Sequence, residues 1–574
     1  MLSHFTPALA TWAAFAFFLV NGKPCPPLGP VLPTTQQPSR DTTVADAVKA
    51  LKDRFALITA GFEGSAVSIG VKSIHENNPL VDLHFTPDKK LQRGSQTVTA
   101  NTVYRIGSAT KLFTVLAVLQ QENINLEDPV TKYLPSLLAN QPRGSDIESV
   151  KWNEVTVGAL ASHVAGIGRD MAFDIAIFPG PWDNMGLPPI KSNSGPKCSG
   201  LGGTKPCNAG DLLSQFIKRH PQYAPFSAPL YSNVGTSLLG LVVEAASNKT
   251  LDQLMHENIL GPLGMSNTTL IQGPSSDQWA FIPVNESTWG LSLGVFDSAG
   301  GMYSNTADML KFGTALLKYD LLGEAKTRKW LKPQVFTSSA GQFLGAPWEI
   351  ERSDRLTSDG RLVDIYTKAG DLGLYHSMFA LVPDYDLVIS VMTAGPEASA
   401  AFFFSANIVS QVLKAIVPAV DQASRNVAKA NFVGTYSDPS TNSTLVLNMD
   451  GGPGLVLANW TIRGFDVLAN FLKYSVTPSL KVIPGLARLY PSGLHATNQT
   501  GWRMVFDQAS ESERQKFDAE VVMQDGSCVN WGTMDRFNYD FVGLEEFIFN
   551  LDLNGVAASI NPRAFDVTLQ RVSN

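Results

Sequence analysis

A serine and a lysine three residues apart, Ser108 and Lys111 in RIGSATKLFTVLAVLQ, are the residues best placed to do chemistry in this sequence. If the apolar run that follows them is a helix, positions i and i+3 share one face. An uncharged lysine amine held there can take the proton of the serine hydroxyl as it attacks a carbonyl carbon. The start of such a helix also directs unpaired N–H groups toward a developing oxyanion. The chemistry implied is acyl transfer through a covalent serine intermediate. A four-residue pattern with two free positions recurs by chance in a chain of 574 residues, so the surrounding elements must carry the argument.

Those elements are legible as periodicities. Val44, Ala47, Val48, Leu51 and Phe55 recur at helical spacing, and AVSIGVKSI (66–74) and LVDLHF (80–85) read as strands. Strand patterns return at IYTKAG, HSMFALVP and DLVISVMTAG, followed by an apolar helix from 400 to about 417. Strands at both ends with helices between predict an α+β domain over 44–420, an antiparallel sheet flanked by helices. Within it, 169–225 is a Pro/Gly/Asn-rich insertion of a length that is functional or irregular when found inside a compact domain. DQASRNVAKA (421–430) is polar and low in bulky residues, which predicts a linker. Beyond it FVGTY, STLVLNM, GLVLANW, WRMVFD and AFDVTLQRV, separated by turn residues, predict a C-terminal β-barrel or sandwich over 431–574.

Composition narrows the class. With 44% hydrophobic and 17% charged residues the chain can bury large cores, and a net charge of -7 gives no footprint for nucleic acid. The apolar stretch from Ala8 to Val20 is short for a bilayer span and ends in Val20-Asn21-Gly22, so 1–22 reads as a signal peptide cleaved after Gly22. Residues 23–43, rich in Pro, Thr and Gln, then read as an extended leader. Secretion makes the four cysteines interpretable, since four allow three pairings in an oxidising compartment. Cys198 and Cys207 bracket a Gly-rich segment and are expected to pair, leaving Cys25 with Cys528. Acceptor patterns for N-glycosylation occur at Asn248, Asn267, Asn285, Asn442, Asn459 and Asn498. His75, His84 and the other histidines have no metal-ligand spacing, so neither metal nor cofactor is expected.

From about Val103 to Ala394 the sequence resembles the serine β-lactamase and penicillin-binding-protein-like superfamily, most closely its class C β-lactamase, D-aminopeptidase and esterase branch. The resemblance rests on ordered landmarks: RIGSATKLFTVLAVLQQENINLEDPVTKYLPSL, LASHVAGI, Tyr231-Ser232-Asn233 in APLYSNVGTSLLGLVVE, LGPLGMSNTTL, SAGGMYSNTADMLKFGTALL, and Lys368-Ala369-Gly370 where the family places K-T-G. The C-terminal region is similar in layout to the lipocalin-like β-domains of secreted fungal β-lactamase-like proteins, through FVGTY and its strand rhythm.

The resemblance implies roles residue by residue. Ser108 is the nucleophile, and Lys111 with Tyr231 shares the work of the base, with Lys368 as the second cation that depresses Lys111. Asn233 hydrogen-bonds Lys111 and the substrate carbonyl. The third motif departs from the family, because Ala369 lacks the hydroxyl that meets a β-lactam carboxylate. Asp371 brings a like charge beside that position. The backbone N–H of Asp371 still joins that of Ser108 as an oxyanion hole, and Gly370 of the same motif is placed with the substrate-binding residues. His376, on the same strand system, is placed to touch the leaving group, and His163 is expected to be structural. The expected function is a secreted serine hydrolase acting on a small-molecule or peptide ester or amide, with no nucleic acid and no membrane after signal cleavage. The alternatives are an acyltransferase or transesterase of natural-product assembly, and a catalytically silent protein that binds a wall polymer or partner through the C-terminal domain.

Overall fold

The structure, a computed structural model, describes residues 25–573 apart from 140–143, 172–173, 190–194, 200–203, 272–276, 401–402, 476–485, 507–508 and 524. The predicted signal peptide, 1–22, lies outside the described residues. The chain forms two compact units, one of 33–358 and 362–428, the other of the N-terminal residues to 32, 359–361 and 429–574.

The first unit is built on an eight-stranded sheet whose neighbouring pairs are all antiparallel. Its strands are β1 (Ala66–Ser73), β2 (Val81–Phe85), β3 (Val335–Phe336), β4 (Gln342–Leu344), β5 (Glu349–Ser353), β6 (Val363–Leu372), β7 (Tyr375–Val382) and β8 (Leu387–Ala394), in the spatial order β2-β1-β8-β7-β6-β5-β4-β3. Strands from the two ends of the domain meet at the β1–β8 pair, in register from Ala66 opposite Ala394 to Ser73 opposite Leu387.

Helices cover both faces. The principal ones are α1 (Thr42–Thr59), α2 (Thr110–Leu119), α3 (Asn233–Ser247), α4 (Thr306–Leu317) and α5 (Phe404–Phe432). Because side chains alternate along a strand, β8 sends Leu387, Ile389 and Val391 to a cluster with α1 and α5. It sends Val388 and Met392 to the cluster of α2, α3 and α4. α4 packs closely on the sheet at two glycines: a Cβ on Gly70 of β1 would meet Thr306 Cγ2 at 2.4 Å, and one on Gly313 of α4 would meet Val388 Cγ1 at 2.3 Å. Nine of the ten residues of α2 are buried, so it is the central helix and its first turn is fixed on all sides.

Two predicted boundaries change. Residues 421–430, expected as an irregular linker, are helical and continue α5, which runs unbroken through Pro418, and the division between the two units at 428/429 falls within them. The polar residues that suggest a linker satisfy one another inside the fold: buried Asp421 pairs with buried Arg425 at 2.9 Å and accepts from the Tyr385 hydroxyl at 2.9 Å. The predicted leader is likewise structured at its end, where Pro38–Arg40 form a 3-10 turn and Asp41 caps α1 by accepting from the Thr43 N–H. Its Val31 and Leu32 are buried.

The second unit is a closed barrel rather than a sandwich. Strands β9 (Gly434–Asp438), β10 (Ser443–Asn448), β11 (Leu455–Ile462), β12 (Ala487–Ala496), β13 (Gln499–Phe506), β14 (Glu546–Leu551), β15 (Ala557–Pro562) and β16 (Leu569–Ser573) pair each with the next. The β16–β9 pair closes the ring. Rings from non-adjacent strands meet across the interior, Trp460 against Phe547 at 5.1 Å and Tyr436 against Phe549 at 6.2 Å, so an aromatic core fills it. A disulfide joins Cys25 to Cys528 with Cα atoms 5.4 Å apart, and another joins Cys198 to Cys207 at 5.0 Å. Five of the six glycosylation acceptor asparagines are exposed, and Asn267 is half-buried.

Candidate active site

Ser108 lies in the 3-10 turn Gly107–Ala109 that leads directly into α2. Gly107 adopts φ +49°, and a Cβ there would meet Asp371 N at 2.6 Å, so only glycine permits this approach of the turn to β6. From the other side, a Cβ on Gly370 would meet Ile106 O at 2.0 Å and Ser108 N at 2.8 Å. The backbone nitrogens of Ser108 and Asp371 are thereby drawn together beside the serine. Ser377 on β7 locks the turn by donating to Ile106 O at 2.8 Å.

Lys111, in the first turn of α2 and one turn after Ser108, is fully buried. Its Nζ lies 3.0 Å from Ser108 Oγ, 2.7 Å from Asn233 Oδ1 and 2.6 Å from the Ala299 carbonyl oxygen. Asn233 is the first residue of α3, capped by Ser232, whose hydroxyl accepts from Gly235 N at 2.9 Å. Tyr231, just before this cap, projects among cations: Lys111 Nζ lies 5.0 Å, Lys368 Nζ 5.2 Å and the Arg169 guanidinium carbon 4.8 Å from its ring centroid.

The electrostatics follow from this crowding. Burial holds the Lys111 ammonium below its ordinary pKa, with Lys368 adding to the effect and Tyr231 opposing it. For Tyr231 burial alone would raise the phenol, but the charges of Lys111 and Lys368 outweigh it and hold the group below its ordinary value. Lys368 is buried too, yet it is raised, because Glu349 and Tyr231 overcome the burial. Its Nζ donates to Glu349 Oε1 at 2.6 Å and to Ala369 O at 2.8 Å, while Ala369 N donates to Glu349 Oε2 at 2.9 Å.

Ser108, Lys111, Tyr231, Asn233, Lys368, Gly370 and Asp371 are thus brought together. His376 is not: its Nδ1 lies 2.6 Å from Asp371 Oδ1 and its Nε2 2.8 Å from Ser399 Oγ. Both ring nitrogens are engaged, one by Asp371 on β6 and the other by Ser399 just after β8. The same contact ties the Asp371 carboxylate to His376. His163 is structural in form, with a left-handed backbone (φ 61°) and Nδ1 accepting from Ser232 N at 3.2 Å. Its ring lies 4.6 Å from that of Tyr231.

Four contributors escaped the sequence reading. Glu349 comes from β5, whose register opposite Thr367 no local pattern reveals. Arg169 and Asp170 open the insertion, and the only signal for them is a charged pair one residue beyond LASHVAGI. Ser199, next to the Cys198–Cys207 bridge, lines the same cavity of about 120 Å³ as Ser108, Asp170, Asn233, Phe296 and Asp371. The disulfide segment is fixed near this wall by Val295 N donating to Cys207 O at 2.8 Å.

Residues 45–405 match the family model "Beta-lactamase", and 424–573 match "Beta-lactamase-like-like, C-terminal domain". A "Beta-lactamase-like protein" of Arthroderma benhamiae is 29% identical over 566 residues, covering 92% of each chain. A "Probable hydrolase clz13" of Cochliobolus lunatus is 28% identical over 441 residues, covering 71% of this chain and 68% of its own. Among solved structures, D-amino acid amidase from Ochrobactrum anthropi is 17% identical, with a TM-score of 0.49 over 67% of this chain and 100% of its own. The family model covers well over half of the sequence, and the chain belongs to the beta-lactamase family.

Proposed function

We propose that this protein is a secreted serine hydrolase that forms an acyl-enzyme on Ser108 and releases the acyl group to water, acting on an ester, amide or peptide. The observation that carries the reading is the Ser108–Lys111 contact of 3.0 Å at the mouth of a cavity, beside a tyrosine held among cations. Ser108 Oγ attacks the carbonyl carbon as its proton passes to the Lys111–Tyr231 pair. The oxyanion is received by the backbone N–H groups of Ser108 and Asp371. Collapse breaks the bond to the leaving group, which takes the proton back from the pair. Water then attacks the acyl-serine ester, gives a proton to the same pair and restores Ser108.

The charges favour an uncharged substrate over a carboxylate-bearing lactam. Lys368 is already neutralised by Glu349, and Asp371 stands on the cavity wall. Secretion is supported by the N-terminal apolar stretch, the two disulfides and the exposed glycosylation acceptors. Labelling with a fluorophosphonate probe tests the nucleophile. It is expected to be lost in Ser108→Ala and kept in Ser162→Ala, whose hydroxyl is spent on Gly158 O at 2.7 Å. Labelling that survives the loss of Ser108 overturns the assignment.

A further inference from the structure

The orientation of one amide decides whether Lys111 can act as a base. Two of the three Nζ contacts, Asn233 Oδ1 and Ala299 O, are acceptors. A neutral amine has two hydrogens and one lone pair, so satisfying these two acceptors leaves the lone pair for Ser108 Oγ at 3.0 Å. If the Asn233 amide were reversed, its NH2 group would face Lys111 and compete for that lone pair.

What prevents reversal is Asp170. Its side chain is buried, and Asn233 Nδ2 lies 2.9 Å from Asp170 Oδ1 and 3.1 Å from Oδ2. An ionised carboxylate only accepts, so the amide face toward it must be the NH2 and the face toward Lys111 must be the oxygen. Asp170 is itself held in place: its backbone carbonyl accepts from Arg219, and Arg169 Nε lies 3.4 Å from Oδ2. The Arg169 carbonyl in turn accepts from Asn233 N at 2.9 Å, which ties the same short segment to the first turn of α3.

We infer that Asp170 is a positioning residue, which locks the Asn233 amide so that the Lys111 lone pair is aimed at Ser108. The inference rests on the hydrolase reading above and adds a determinant outside the recognised motifs. It also gives the Arg169 end of the insertion a task in the reaction.

The charge of Asp170 supplies a readout that packing alone would not move. Lys111 is faced by Tyr231, Lys368 and Asp170, with Arg169 and His163 packed against the tyrosine ring, and Asp170 is faced by Arg169 and Arg219. Asp170 favours the Lys111 ammonium, so removing its charge lets the amine lose its proton at lower pH. The test is the second-order rate of fluorophosphonate labelling across pH for the full chain. Asp170→Asn, isosteric and able to turn either amide face to Asn233, should lower the plateau about a hundredfold and move the acid limb to lower pH. In an Asn233→Asp background both faces toward Lys111 are oxygen, and adding Asp170→Asn should then cost less than threefold. A limb that stays in place, or a full hundredfold loss in the Asn233→Asp background, overturns the inference. Absence of labelling in the unmodified protein instead overturns the hydrolase reading itself.

Discussion

The two faces of the central sheet are made by the same strands and spend their burial differently. Toward α1 and α5, β6 and β8 present Val363, Ile365, Leu387, Ile389 and Val391, and that cluster is aliphatic with few aromatics. Toward α2, β6 presents Lys368 and Gly370, and the layer holds Lys111, Asp170 and His163 at under a tenth exposure. Burying ions costs free energy unless they are paired and hydrogen-bonded. Both faces gain stability from apolar burial, and the α2 face in addition holds the charges grouped around Ser108. Alternation of period two lets one strand serve both.

Changes on the two faces should separate activity from stability. The largest effect expected is from Lys111→Ala: kcat/KM on a p-nitrophenyl ester should fall by about three powers of ten while the protein still unfolds cooperatively. On the opposite face, Ile389→Ala should cost about 2–5 kcal/mol in urea unfolding, with kcat/KM per folded molecule within about twofold of the parent. An activity loss as great as that of Lys111→Ala would show that the faces are not independent.

A smaller change sharpens the account of charge. Glu349→Gln removes the partner of Lys368, so the ratio of cephalosporin to ester turnover should rise about tenfold. A ratio that does not rise means that Lys368 does not face the substrate. The smallest effect concerns Asp297, behind α2, whose carboxyl burial pushes up to about 6. A raised carboxyl contributes stability that is present below its unfolded value of 3.8 and is lost as pH rises through about 6. Asp297→Asn should therefore flatten the fall in urea midpoint over that window, and Ile389→Ala should leave its slope unchanged.

Much of this was legible where chemistry imposes local spacing. The Ser108 turn, the helix after it, the strands β1, β2 and β6 to β8, and the Cys198–Cys207 pair follow from short-range patterns, and Cys25–Cys528 follows by elimination. The missed features depend on neighbours distant in sequence. Asp421 and Arg425 look like solvated linker residues until Tyr385 is seen to complete their network. His376 reads as a candidate ligand contact until its register opposite Asp371 engages it. Glu349 and Asp170 carry no motif at all, because their roles arise from strand pairing and from an insertion folding back on α3. Barrel closure is equally invisible locally, since it depends on β16 meeting β9.

The central claim is that Ser108 carries the acyl group during turnover. Mixing the protein with a p-nitrophenyl ester, following p-nitrophenol release on the millisecond scale, and acid-quenching for peptide mass analysis tests this directly. The account predicts a burst of about one equivalent per protein when deacylation is the slower step, with the acyl mass on the peptide containing Ser108 and none in Ser108→Ala. Turnover with the acyl mass on another residue, or undiminished turnover in Ser108→Ala, would contradict it.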